Sequence, residues 1–246
     1  MKPPAQPLSK VRPWKLQHKI IKMQRKTRLA LGEYYHIYNR GNNKSIIFKN
    51  NSDKDRFMDL LFLCNSREPV VMKEINDSFY KSNRVFLHKR GEVIVAIGLY
   101  KLMDNHFHIS IKEITEGGIS LFMKKLSTAY SMYFNKKYDR TGKLFEGVFR
   151  SKHVNNDNHL KYLFSYIHLN IVEKLEPNWK EDGIKDMERV KKFLHNYKYS
   201  SYLDYMGADR VEKNILTKEE FPEYFSDPKE ITEYLNDWLF YNEDIL

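Results

Sequence analysis

The chain has 246 residues, 41% hydrophobic and 30% charged, with a single cysteine and a formal net charge of +10. This composition is that of a soluble globular protein with a proper core. It excludes a disordered chain, a disulfide scaffold and, because no apolar stretch approaches the roughly 20 residues that span a bilayer, a helical membrane protein. A basic N-terminus without a signal peptide's apolar segment predicts a cytoplasmic location.

The charge is unevenly distributed. Nine Lys or Arg and no acid precede Leu31, eight basic residues face only Asp139 and Glu146 between 120 and 154, and nine acids face only Lys229 from 219 onward. A solvated face explains each run individually, but their order points to a defined polyanion-binding side. Seventeen tyrosines add rings suited to stacking on unpaired bases.

Residues 1–30, with early prolines and a basic stretch, read as a basic arm. Glu33 to Asn39 is rich in β-forming aromatics and runs into Arg40-Gly41-Asn42-Asn43, a turn signal, so a first strand is expected there. A helix is expected next, capped by Ser52 or Asp53, with Phe57, Leu60, Leu61 and Cys64 on its apolar stripe. Residues 65–92 read as an insertion with short strands at Val70-Val71 and at Val85 to Leu87. Val93 to Leu102 and Phe107 to Ile111 read as two central strands or one long bent one. Past Gly117-Gly118, apolar residues from Ile119 to Tyr133 recur at helical spacing. Residues 139–154 read as a basic, glycine-punctuated connection. Asn158 to Glu173 is a further expected helix with Leu160, Leu163, Phe164, Ile167 and Ile171 facing the core, and Pro177 closes that unit.

This order predicts an α+β fold, a ferredoxin-like (RRM-like) antiparallel sheet with helices packed on it and a helical C-terminal extension. The expected organisation is an arm over 1–30, a catalytic domain over 31–178 and an accessory region over 179–246 that is acidic at its end.

The segment Met103-Asp-Asn-His-Phe-His-Ile-Ser-Ile111 raises the functional question. On a strand, His106 and His108 point to the same face as Ser110 and Lys112, while Phe107, Ile109 and Ile111 cover the other. Two imidazoles so placed are either satisfied by hydrogen bonds or aimed at a shared metal ion or phosphate. On the later helix, Tyr162, Tyr166 and Asn170 stand one turn apart on one face. They read either as half-buried side chains or as groups able to reach that same point.

These segments resemble the REP-associated tyrosine transposases, members of the wider HUH single-strand transposases, in which U is a large apolar residue. The resemblance rests on Tyr35 to Lys44, on Met103 to His108, on Gly142 to Ser151, on Ser165 to Val172 and on Tyr199 to Gly207, in the family's order across about residues 33–225. It implies an enzyme that cleaves and rejoins single-stranded DNA at hairpin or repeat ends through a 5′-phosphotyrosine. Tyr166 would be the nucleophile, and His106, His108 and Asn170 the ligands of Mg²⁺, with Mn²⁺ as a substitute. Arg40, Arg140, Lys143, Arg150 and Lys152 are expected to follow the DNA phosphates, and the protein to act as a monomer or homodimer. Three positions depart from the family pattern: Asp104 and Ile171 where proline is usual, and Glu146 where glutamine is common. The alternative is a catalytically silent single-stranded DNA- or RNA-binding module on the same fold, since charge and aromatics serve binding without a metal.

Overall fold

The computed structural model describes residues 28–69, 84–223 and 227–240. Four strands form one sheet: β1 (Tyr34–Arg40), β2 (Val95–Leu102), β3 (His106–Glu113) and β4 (Arg150–Val154). Their order is β2-β3-β1-β4 and every neighbouring pair is antiparallel. Helix α1 (Asn51–Leu63) links β1 to β2, and α2 (Gly118–Lys137) links β3 to β4. This is the ferredoxin-like arrangement the element order predicts.

Alternation along the strands sorts residues onto two faces. Tyr35 and Ile37 of β1, Phe107, Ile109 and Ile111 of β3, and Tyr100 and Leu102 of β2 pack with the apolar stripes of α1 and α2. Phe107, with no exposure, lies 4.9 Å from the ring of Phe57 on α1. Truncating such a fully buried ring leaves a cavity its neighbours only partly close. Phe107→Ala is therefore expected to cost about 3–5 kcal/mol, read as a lowered urea midpoint with unchanged slope.

The opposite face is covered by α3 (Asp157–Leu169) and by the later helices α4 (Trp179–Asp182), α5 (Met187–Asn196), α6 (Tyr202–Tyr205) and α7 (Pro228–Phe240). Leu99 of β2 and Met103 just beyond it join Leu160, Leu163, Phe164 and Ile167 of α3 and Ile231, Leu235 and Leu239 of α7 in a second core. With both faces covered, all eight residues of β2 are buried, which explains its near-continuous apolar sequence. Cys64 is a buried core residue whose thiol burial pushes up to about 12, so it is chemically inert.

Several local expectations are corrected. Helix α1 begins at Asn51 and is capped by Asn50, two or three residues before the expected caps Ser52 and Asp53. The Asn50 side chain accepts from the Asp53 N–H, and the Asp53 carboxylate returns the bond to the Asn50 N–H, closing a capping box. Arg84–Leu87 forms a 3₁₀ turn with Val85 and Phe86 buried, not a strand, and Val70-Val71 lies outside the described residues, as does most of the expected arm. The helix expected to run to Glu173 ends as α3 at Leu169 and tightens into a 3₁₀ turn over Asn170–Lys174. The connection expected over 139–154 contains β4. Its residues Arg-Ser-Lys-His-Val sit on the sheet edge with only Val154 fully buried, so no apolar alternation marks the strand.

The turns at one end of the sheet are locked to one another. The Gly41 N–H donates to the Asn105 carbonyl at 2.8 Å, and the Ile47 and Phe48 N–H groups both donate to the Asp104 carbonyl. A Cβ on Gly41 would stand 2.1 Å from the Ser45 carbonyl oxygen, so the chain turns there only with glycine.

Candidate active site

The sheet register brings the polar side chains together. Tyr38 stands opposite His108, Arg40 opposite His106 and His36 opposite Ser110 on β1 and β3. Lys101 of β2 stands opposite His108, and Lys152 and Arg150 of β4 stand opposite His36 and Tyr38. Directly opposed residues share a face, so a polar stripe crosses the sheet under α3.

Within it, His36 Nε2 and His108 Nδ1 are 2.8 Å apart. The His106 ring stands edge-on to His108 at 5.0 Å, and His106 Nδ1 lies 2.6 Å from the Asn105 side-chain oxygen. The Tyr166 ring of α3 stands edge-on at 5.5 Å from His108 and 6.0 Å from His36. Asn156, in extended conformation, caps α3 through the His159 N–H, which fixes the helix start and the phase that turns Tyr166 towards the sheet. Asn170, one turn beyond Tyr166, is buried at the helix end.

His36 was not singled out by the sequence. The signal lay in the strand alternation of Tyr34, His36, Tyr38 and Arg40, but only the β1–β3 register shows that this face meets His108. An imidazole whose Nδ1 is held by a partner presents Nε2 in a fixed direction. His108 Nε2 is buried and has no hydrogen-bond partner among the described residues. Both motif histidines thus have Nδ1 engaged and leave Nε2 for something else.

Burial first, and neighbouring charges after it, keep these rings neutral. Burial, reinforced by Lys152, His159 and Lys101, lowers His36 to about 3. Burial lowers His106 to about 4, with Lys101 adding to the effect and Glu173 opposing it. Burial, then His36 and Lys101, holds His108 well below the ordinary value. Neutral imidazole is the form that ligates a metal. A set of two imidazoles and an amide fits a divalent ion, with the orphaned His108 Nε2 as the observation that carries the fit. Among the described residues no three His, Cys, Asp or Glu side chains converge in metal-holding geometry.

Tyr166 is half-buried, and burial raises its hydroxyl above the ordinary value, while Lys180 works in the opposite direction. The Lys180 ammonium is 5.8 Å from the Tyr166 ring centre and 3.1 Å from a Glu173 carboxylate oxygen. The hydroxyl is not an activated nucleophile as it stands.

The expected phosphate-binding residues separate into two groups. Arg150 and Lys152 are exposed on the histidine face. Arg40 lies on that face too, but its guanidinium is held by both oxygens of Glu146, with Arg150 3.9 Å from the same carboxylate. Glu146 thus neutralises one of the expected phosphate-binding cations. Lys143 is exposed on the α2–β4 connection, and the Arg140 guanidinium lies 5.4 Å from the Phe134 ring centre, in the core of the other face. Asp104 receives Lys54 at 3.1 Å and Lys174, tying the histidine turn to α1 and to the 3₁₀ turn that follows α3. No helix among the described residues is long and apolar enough to cross a membrane.

No curated protein sequence matches the chain. Among solved structures, it is similar to a REP-associated tyrosine transposase bound to a REP hairpin, at 10% identity and a TM-score of 0.41, over 77% of this chain and 89% of that one. It is also similar to a tRNA(His) guanylyltransferase from Saccharomyces cerevisiae, at 11% identity and a TM-score of 0.35, over 85% and 90% of the two chains. Both likenesses are loose. The sequence pattern of the family described as "Transposase IS200 like" matches residues 54–170, a span that holds His106, His108, Tyr166 and Asn170. Over that span, just under half of the chain, the sequence is similar to this family.

Proposed function

We propose that this protein cleaves and rejoins single-stranded DNA by transesterification at Tyr166. The observation that carries the reading is the convergence of the Tyr166 ring on His108, whose buried Nε2 has no partner among the described residues. In the forward step the Tyr166 oxygen bonds to phosphorus, the bond from phosphorus to the 3′ oxygen breaks, and the tyrosine proton ends on the released 3′-hydroxyl. The strand is then held as a 5′-phosphotyrosine ester, and attack by a 3′-hydroxyl reverses the step without ATP. His106, His108 and Asn170 would hold the divalent ion, Mg²⁺ or Mn²⁺, which when bound supplies charge neutralisation at the scissile phosphate.

The chain's own residues supply the remainder. His36 fixes the His108 ring, the Glu173–Lys180 pair sets a cation beside Tyr166, and Lys152 and Arg150 attract the phosphate backbone across the exposed edge of the sheet. The preference for hairpin or repeat ends comes from the motif resemblance. The deciding experiment incubates the protein with labelled hairpin oligonucleotides carrying single-stranded flanks, with Mn²⁺ or with a chelator. A covalent protein–DNA adduct that needs the metal is expected. Salt-sensitive binding of every oligonucleotide, indifferent to chelator and without any adduct, would instead establish a binding module on this fold.

A further inference from the structure

We infer that Tyr162 of α3 and Trp238 of α7, together with the ring of Tyr166, form a stacking subsite for an unpaired nucleobase next to the scissile phosphate; this rests on the reading of Tyr166 as the residue that meets DNA. Tyr162 lies one turn before Tyr166, and their rings are near-parallel, 6.1 Å apart with 20° between planes. Trp238 stands beside Tyr162 at 5.5 Å and 64°. The three rings make a continuous aromatic surface that starts at the proposed nucleophile and runs outward.

That surface differs from the packed aromatics of the rest of the molecule. Tyr162 is 45% exposed, whereas the stripe that fastens α7 to α3 is made by Ile231, Leu235 and Leu239, each at most 4% exposed. Trp238 flanks that stripe, half-buried and packed against the same core, with its indole at the rim. An aromatic side chain that is half in water beside a neighbouring ring presents a π-face that any base can cover.

The surrounding charge restricts what part of a nucleic acid fits. Glu230, Glu233 and Asp237 are exposed on α7, and they repel a phosphodiester backbone. Lys152 and Arg150 lie on the sheet side of Tyr166. A strand that keeps its phosphates over the basic edge and turns one base towards Tyr162 satisfies both. Stacking reads no donor–acceptor pattern, so the subsite takes an unpaired base of any identity and excludes a base held in a duplex.

The test uses the full chain carrying Tyr166→Phe, without divalent metal, so that binding is read without chemistry. The probes are a blunt hairpin oligonucleotide and the same hairpin with a short unpaired thymidine extension. In that background Tyr162→Leu, which keeps apolar bulk against α7, is expected to weaken binding of the extended hairpin about tenfold to hundredfold, the size of one lost base stack. Binding of the blunt hairpin should be unchanged, and Tyr162→Phe should restore the extended one. Tryptophan fluorescence should be quenched by the extended hairpin and not by the blunt one, and Trp238→Phe should remove that quenching. Equal weakening of both probes, or no weakening of either, overturns the subsite while leaving the DNA reading intact. Failure of the Tyr166→Phe protein itself to bind either probe overturns the DNA reading and the subsite with it. Far-ultraviolet dichroism and thermal melting of each variant identify any loss due to misfolding, and Tyr162→Phe then decides the question.

Discussion

Tyr166→Phe is expected to abolish the covalent protein–DNA adduct and reduce strand cleavage by at least about a thousandfold, the scale seen when a nucleophile is removed outright. The substitution deletes one hydroxyl and keeps the ring that packs edge-on against His36 and His108. Fold and hairpin affinity should therefore be retained. The measurement is denaturing electrophoresis of labelled oligonucleotide after incubation with Mn²⁺, alongside a binding titration. A surviving adduct would transfer the role to Tyr162, the ring stacked on Tyr166, and would overturn Tyr166 as the nucleophile.

Lys101→Met is expected to stabilise the protein at pH 7 by on the order of 1–4 kcal/mol. Lys101 has no exposure, and its ammonium nitrogen has no hydrogen-bond partner among the described residues. Burial holds its pKa well below the ordinary 10.5, with Glu173 partly opposing that shift. The native state accordingly binds fewer protons at this position than the unfolded chain, and stability rises with pH until the unfolded lysine itself deprotonates near 10.5. The advantage of methionine should therefore shrink as pH rises toward that value. Urea unfolding of both proteins at pH 7 and pH 10 checks the sign and the trend. A variant no more stable than the parent would show that the ammonium has a compensating partner in solution. Lost cleavage alongside gained stability would mark Lys101 as retained for the reaction, since it stands opposite His108 in the register.

The proposed aromatic subsite and the proposed metal ligands bear on one another. A neutral, positioned His108 beside a tyrosine whose hydroxyl is raised by burial describes a site at rest. Bringing a phosphate over Lys152 and Arg150, and a base over Tyr162, would place the backbone where Tyr166 can reach it. Binding energy gathered away from the reacting atoms would then position them, which is where proximity contributes most.

What the sequence determined by itself was local and periodic. Alternation over Met103 to Ile111 placed both motif histidines on one face of a strand. The i, i+4 spacing of Tyr162, Tyr166 and Asn170 placed them on one helix face, and the order of elements predicted the ferredoxin-like sheet. Each depends only on the 2.0 and 3.6 periods of the backbone. Tertiary structure alone decided what those faces meet. Edge strand β4 carries no apolar alternation because water covers most of it. Asn50 caps α1 in place of the residues after it because the cap depends on backbone conformation more than on residue type. His36 belongs to the site because of the strand register, and Glu146 disarms Arg40 across 106 positions of sequence. Lys101 is buried because β2 is covered on both faces. Contacts between residues distant in sequence are set by how layers pack, and no local period encodes them.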